Sequence, residues 1–373
     1  MEKGETMVYI SSVGIGLPKI SLSQKDAKQL VAEIFSNHKQ KVKRLMPIFN
    51  NANISTRQLA THIDWYKKQQ SLETRNNVYI EQSINLSLEA IDQCLNNELL
   101  KNNIPCEAVD LIVFVSSTGM ATPSIDAHLI NKRSFREDIV RMPLWGLGCG
   151  GGAIGLSRAI EWLKLHPTKT AIVVCAELCS LTFQQKDFST SNIVGTALFG
   201  DGVAATLLVG ENSPYKKELP EMKLMAERSS SFIKKETLQI MGWDITNDGF
   251  EVIFSKKIPR LVKSIWQQHF QMFLEKINLE ITDLHSLVAH PGGRKVLEEM
   301  ENVVNGQRHL LDNSYDILRN HGNMSSATVL YVLKKYLETS YETMDSHMKQ
   351  SAILSALGPG FCSELIAMRW TDG

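Results

Sequence analysis

Three short stretches carry residues that could do chemistry on a carbonyl group. The first is Trp145-Gly-Leu-Gly-Cys149-Gly-Gly-Gly152-Ala-Ile-Gly155, where one cysteine stands among six glycines. An apolar run, Ile139 to Leu147, precedes it and reads as a buried strand, with Pro143 suggesting a bend or an irregular edge. After it, Ala153, Leu156, Ile160 and Leu163 recur at helical spacing, while Arg158, Glu161 and Lys164 take another face. Cys149 therefore falls at a strand-to-helix turn, near the positive end of a helix dipole, where thiolate is favoured over thiol. The glycines remove the Cβ atoms that would keep a bulky substrate from the sulfur. A small buried cysteine in a glycine-rich turn is the competing reading.

The second stretch is Ala289-His290-Pro-Gly-Gly293 and the third is His321-Gly-Asn323-Met-Ser-Ser326. His290 ends an apolar run just before a turn that cannot continue it, so the strand fixes a ring that can reach a cavity. A turn histidine bonded to backbone is the alternative. Asn323 precedes a helix and could simply cap it. Taken together, the three make a consistent constellation. A cysteine thiolate is nucleophilic near neutral pH when a cationic imidazole lies beside it. His290 and Asn323 can both donate to a developing oxyanion, where one donor is often worth ~3 kcal/mol. Asparagine cannot act as a base, so its pairing with histidine argues for oxyanion stabilisation over proton abstraction.

The elements that must position these residues alternate along the chain. Strands are expected at 8–15, 109–117, 170–176 and 203–209, and helices at 23–36, 71–96 and 125–132. Near-continuous apolar runs such as Val109 to Ser117 suit strands buried on both faces. Glu211 to Glu221, with two prolines and five charged residues, is the best linker candidate. It divides the chain into an N-terminal part, 1–215, with the cysteine, and a C-terminal part, 216–373, with the histidine and asparagine. Beyond it, strands are expected at 222–228, 251–254 and 284–290 and helices at 258–277, 295–304 and 325–337. A hairpin of 353–357 with 362–370 closes the chain around Gly358-Pro359-Gly360. This alternation is an α/β pattern with covered sheets.

Composition narrows the function class. The 373 residues are 43% hydrophobic and 21% charged, ordinary values for a globular enzyme. Forty basic residues balance forty acidic ones, so no global field recruits nucleic acid or an anionic membrane. Lys39, Lys41, Lys43 and Arg44 form a local basic cluster, either a solvated helix face or a holder of phosphates. The six cysteines are too scattered for a disulfide framework or a zinc site and fit a reducing cytoplasm. No apolar run reaches the roughly 20 residues a membrane span requires.

Five motifs occur in order: Trp145-Gly-Leu-Gly-Cys149, Ala197-Leu-Phe-Gly-Asp-Gly202, Ala289-His-Pro-Gly-Gly293, Gly322-Asn-Met-Ser-Ser326 and Gly358-Pro-Gly-Phe361. Together they resemble the type III polyketide synthases, the chalcone synthase-like branch of the thiolase superfamily, across nearly the whole chain. The wording Ser116-Ser-Thr-Gly-Met-Ala-Thr-Pro123 and Ala176-Glu-Leu-Cys-Ser-Leu-Thr-Phe183 is most similar to the Bacillus-type alkylpyrone synthases. The resemblance implies a cytoplasmic homodimer with a thiolase-like fold, two similar α/β halves with five-stranded mixed sheets in an α/β/α/β/α layering. It implies acyl-CoA and malonyl-CoA as substrates and no metal or redox cofactor.

On this resemblance Cys149 takes a medium- or long-chain acyl group from CoA as a thioester. His290 and Asn323 polarise the malonyl thioester carbonyl, easing decarboxylation to an enolate that attacks the bound acyl group. Triketide or tetraketide alkylpyrones, or alkylresorcinol-type compounds, would follow. Phe199 matches a bulky gatekeeper. Val252 falls where chalcone synthases carry a second, aromatic one, which should widen the cavity. Thr182 and Ser325 match cavity-lining positions, and Gly358, Pro359 and Gly360 match the last loop. Thr122, before Pro123, matches a loop that reaches the partner subunit's cavity around a cis bond. Lys39, Lys41, Lys43 and Arg44 lie where the family binds CoA phosphates. The rival readings are a ketoacyl-carrier-protein synthase III, an HMG-CoA synthase, for which Glu177 and Glu81 stand as unassigned glutamates, and a non-catalytic acyl-CoA-binding dimer.

Overall fold

A computed structural model of the chain describes residues 6–343 and 350–372. Among them, nine strands join in one mixed sheet. Its order is Leu284–Ala289, Ser351–Gly358, Cys362–Thr371, Lys223–Ile233, Val8–Gly16, Asp201–Gly210, Thr170–Leu178, Leu111–Ser116 and Val140–Trp145. The five strands from Val8–Gly16 to Val140–Trp145 form the expected N-terminal sheet. The C-terminal part contributes four strands rather than five. It joins the first sheet because Val8 to Ile10 pair with Leu224 to Ala226. The runs read as buried strands are so: Leu111–Ser116, Thr170–Leu178 and Asp201–Gly210 are buried throughout.

Helices cover the sheet in layers. Gly151–Leu165 and Thr328–Thr343 lie between the two parts, and their apolar faces share one core with strands of both. Ala153, Leu156, Ile160 and Leu163 all point into that core, as their spacing required. A second core lies under Leu72–Leu95, which Ser71 caps by accepting from the Thr74 amide at 3.1 Å. A third lies under the helices of the C-terminal part, around Trp266, Phe270 and Leu297. Three cores separated by two curved stretches of sheet give the α/β/α/β/α layering.

Two expectations change. The helix expected over 258–277 is broken into Ile258–Leu261, a wider turn at Val262–Trp266, and Gln267–Lys276. The stretch before Cys149, expected as a buried strand, is the exposed edge Val140–Trp145, paired among the described strands only with Leu111–Ser116. Pro143 fits there, because an edge strand tolerates a missing N–H.

Candidate active site

Cys149 stands in a tight turn, Gly148–Gly150, that feeds directly into the Gly151–Leu165 helix. Gly148 has φ +48°, and a Cβ there would come within 2.7 Å of the Pro359 ring. Only glycine allows this approach, so the Gly358-Pro359 loop is pressed against the cysteine turn. Gly358 packs on Gly150, and the Gly360 carbonyl accepts from Thr237 Oγ1 at 2.9 Å.

Asn323 reaches the same point from the other part of the chain. Its backbone N–H donates to Leu198 O at 2.8 Å and its carbonyl accepts from Gly200 N at 3.0 Å, forming a bridge with Phe199. The side chain is oriented by its neighbours. Oδ1 accepts from Ser325 N–H at 2.8 Å, so the amide nitrogen must face the other way. There Nδ2 donates to Gly292 O at 3.3 Å and lies 3.9 Å from Cys149 Sγ. Oδ1 lies 3.9 Å from Sγ as well, so the thiol can donate to the amide oxygen while an amide N–H is within reach of the sulfur. Ser325 makes this possible from the left-handed region, φ +47°, a conformation that costs a non-glycine residue of order 1 kcal/mol.

His290 follows the Leu284–Ala289 strand, its N–H bonded to Ser355 O at 2.7 Å. The ring is buried, and neither Nδ1 nor Nε2 has a hydrogen-bond partner. An unpaired buried imidazole is costly, and a ligand that bonds to it removes that cost. Gly292 is the neighbour that His290 and Asn323 share: its N–H bonds to His290 O and its carbonyl to Asn323. Among the described residues no group of His, Cys, Asp and Glu could hold a metal ion.

Burial corrects one expectation about charge. Desolvation pushes the Cys149 thiol up to about 12, against the lowering effect of hydrogen bonds from Ser325 and Asn323. It also holds His290 down to about 3. Loss of water thus works against the thiolate at Cys149 and the imidazolium at His290. The helix terminus is too weak an influence to offset the loss of water.

The remaining expected residues divide. Thr182, Phe199 and Val252 line one narrow pocket, and Ser325 is buried beside the thiol. Thr122 lies elsewhere, exposed, next to a cis bond with Pro123 and lining a concavity that includes Met120 and Trp145. Lys43 and Arg44 are exposed on the Lys39–Leu45 helix, and the side chains of Lys39 and Lys41 lie outside the described residues.

Sequence reasoning missed one feature of the site and left another, Glu177, without a role. Trp243 pairs across the Met241–Phe254 hairpin with Val252 and packs its ring 5.7 Å from that of Phe199. An aromatic ring thus stands beside Phe199 on the strand that faces Val252. Glu177 is fully buried and accepts from Ser117 N and Oγ, Thr118 Oγ1 and Ser326 Oγ at 2.5–3.1 Å. Burial raises its pKa despite these four donors. Its signal was a lone charge in an otherwise apolar strand.

This chain is similar to known proteins along its whole length. The family model described as chalcone and stilbene synthases, N-terminal domain, matches residues 1–213, and its C-terminal counterpart matches residues 225–371. The chain is 41% identical to a Bacillus subtilis (strain 168) relative that bears a chalcone synthase name, over 98% of this chain and 100% of the relative. It is 32% identical to the 1,3,6,8-tetrahydroxynaphthalene synthase of Streptomyces peucetius subsp. caesius, over 97% and 93% of the two chains. The solved structure of the Streptomyces coelicolor enzyme of that name has the same fold, with a TM-score of 0.87 at 24% identity over 97% and 99%.

Proposed function

This chain belongs to the chalcone and stilbene synthase family, the type III polyketide synthases, and on that premise we propose that it joins an aliphatic acyl starter to malonyl units. Cys149 Sγ attacks the thioester carbonyl of a medium- or long-chain acyl-CoA. Its proton passes to His290, whose unpaired ring nitrogen is the acceptor available in the site, and leaves with the CoA thiol. Malonyl-CoA then loses CO2, and the resulting enolate attacks the acyl-Cys149 carbonyl and expels the sulfur. Both steps build charge on a thioester oxygen. His290, held neutral by burial, keeps one ring N–H to donate, and Asn323 offers its amide N–H. Repeated extension and ring closure give triketide or tetraketide alkylpyrones, or alkylresorcinol-type products.

The observation that carries this reading is the locked amide of Asn323. Its oxygen is tied to Ser325 N–H, which leaves Nδ2, 3.9 Å from Cys149 Sγ, as the donor on an amide whose Oδ1 lies equally near the sulfur. An HMG-CoA synthase reading needs a free carboxylate at the thiol. Glu177 is bonded to four donors and Glu81 is exposed on the Leu72–Leu95 helix, so neither serves. An aliphatic starter suits Val252, and a relative in Mycobacterium tuberculosis, 25% identical, is named for alpha-pyrone synthesis. CoA thioesters are the substrates in this reading, with no metal or redox cofactor. The working form is a homodimer in a reducing cytoplasm, and the six free cysteines suit that compartment.

The test is incubation with hexadecanoyl-CoA and labelled malonyl-CoA, with masses of products and of intact protein. Cys149→Ala is expected to carry no acyl group. Asn323→Ala is expected to keep acyl-Cys149 and lose condensation by about 100-fold, the worth of one oxyanion donor. Undiminished pyrone formation by either variant rules the mechanism out.

A further inference from the structure

The strand Thr56–Leu59, with the residue before it, grips the backbone joint that carries Asn323 from two sides. Ser55 N–H bonds to Arg319 O at 2.7 Å, Thr56 Oγ1 to Asn320 O at 2.9 Å, and the His321 ring to Gln58 Oε1 at 2.8 Å. These bonds hold the end of the Asp312–His321 helix, two residues short of Asn323. Side chains alternate along a strand, so Arg57 points the other way and is only 1% exposed. Its Nη1 donates to Thr196 O at 2.6 Å and, over a longer 3.4 Å, to Phe199 O. Both carbonyls stand at the end of the Thr190–Leu198 helix, where Phe199 is the cap.

The peptide group between Phe199 and Gly200 links this arginine to the active-site asparagine. Its carbonyl accepts from Arg57, and its N–H donates to Asn323 O at 3.0 Å. The carbonyl before it, Leu198 O, receives the Asn323 N–H at 2.8 Å. A cation on an amide oxygen draws charge through the amide and makes its N–H a better donor, so the bonds of such a chain strengthen one another. Gly200 lets the groups close up, since a Cβ there would lie 2.2 Å from His321 O and 3.2 Å from Arg57 Cβ. Burial lowers Arg57 to about 10, against the opposing pull of Asp201, so the side chain stays charged at neutral pH. The Asp201 carboxylate is itself held by the N–H groups of Ala60 and Ser180, each at 2.7 Å. Arg57 Nε and Nη2 nevertheless lack partners, and a buried cation with unpaired donors is costly. Capping the helix does not account for that cost, because a neutral amide could bond the same carbonyl.

We propose that Arg57 is a positioning residue for condensation: through the Phe199–Gly200 peptide it fixes the backbone of Asn323, and with it the amide that meets the thioester oxygen. The inference rests on the polyketide synthase reading above and adds how its oxyanion donor is held. Arg57 touches no reacting atom and acts only through Asn323. That reading gives Asn323 its role in condensation, so loss of Arg57 falls on condensation more than on loading of Cys149. A donor displaced by about 1 Å can cost on the order of 100-fold, and a loosened joint costs part of that.

The experiment measures two rates with hexadecanoyl-CoA: acylation of Cys149 by intact mass, and release of labelled CO2 from malonyl-CoA by the acylated protein. In Arg57→Met the ratio of condensation to acylation is expected to fall about tenfold. Arg57→Lys, which keeps the charge, is expected to return it to within about threefold of the unsubstituted protein. The deciding comparison is made in Asn323→Ala, where Arg57→Met is expected to change condensation by less than about twofold, because no amide is left to position. A similar drop in both backgrounds, or an equal loss of acylation and condensation, overturns the proposal. So does a folded Arg57→Met protein whose ratio is unchanged. Arg57→Gln, which keeps a donor for Thr196 O without the charge, goes through the same comparison if circular dichroism shows that Arg57→Met has not folded. A failed comparison in a protein that loads and condenses leaves the polyketide synthase reading standing. If the unsubstituted protein does neither, that reading fails and takes this one with it.

Discussion

Cys149 and His290 oppose two rules that act at the same atom. A helix N-terminus stabilises a thiolate by at most about 1–2 kcal/mol, whereas burial in a low-dielectric site can move a pKa by several units. Burial wins here, and the thiol is pushed up to about 12. Loss of water thus opposes the thiolate, which a substrate or base that takes the proton would favour. Alkylation of Cys149 by iodoacetamide is expected to be slow at pH 7 and to rise close to tenfold per pH unit up to pH 9, because only the thiolate reacts. Mass mapping of the labelled cysteine reads this directly. A rate that levels off below pH 8 would mean a low-pKa thiolate and return the site to the helix-dipole picture.

At the scale of elements, the Met241–Phe254 hairpin decides how much space the chemistry has. Register sets Trp243 opposite Val252, and the indole then fills part of the volume beside Phe199. Trp243→Ala is expected to leave loading of Cys149 intact and raise the tetraketide-to-triketide ratio severalfold, read by product mass. An unchanged product ratio would take Trp243 out of the cavity wall. The hairpin also shows what was legible. Cys149, His290 and Asn323 could be read because each sits where a periodic run meets a glycine or proline break. Trp243 was within reach too, since Thr246-Asn-Asp-Gly249 is a tight-turn signal that fixes the pairing of 243 with 252. The upward push on the thiol was not legible, because it depends on how the two parts of the chain close around the sulfur. Nor was the place of Leu30 in the pocket wall, which the sequence shows only as part of the inner face of an ordinary amphipathic helix. Its partners, the Thr190–Leu198 helix and the Thr56–Leu59 strand, are distant in sequence.

For the whole molecule, the unfinished feature is the sheet's free edge. Val140–Trp145 leaves one side of its backbone unpaired, and Trp145 and Val140 are 51% and 42% exposed. Exposed edges with large apolar side chains invite pairing with another chain. Trp145 is also anchored from behind, its Nε1–H donating to Gly119 O at 2.9 Å, so the ring is held in a fixed pose rather than free to fold back. The Thr122–Pro123 turn borders the same concavity. A second copy placed by a twofold axis along this edge would cover both tryptophans at once, because a twofold interface uses the same patch twice. It would also carry each Thr122 toward the other copy's site, as the family resemblance implies. Sedimentation is therefore expected to give twice the chain mass, and Trp145→Asp to give the single chain with most condensing activity lost. A Trp145→Asp protein that stays double in mass would place the interface elsewhere. A single chain that condenses at the full rate would show that Thr122 contributes nothing across the edge.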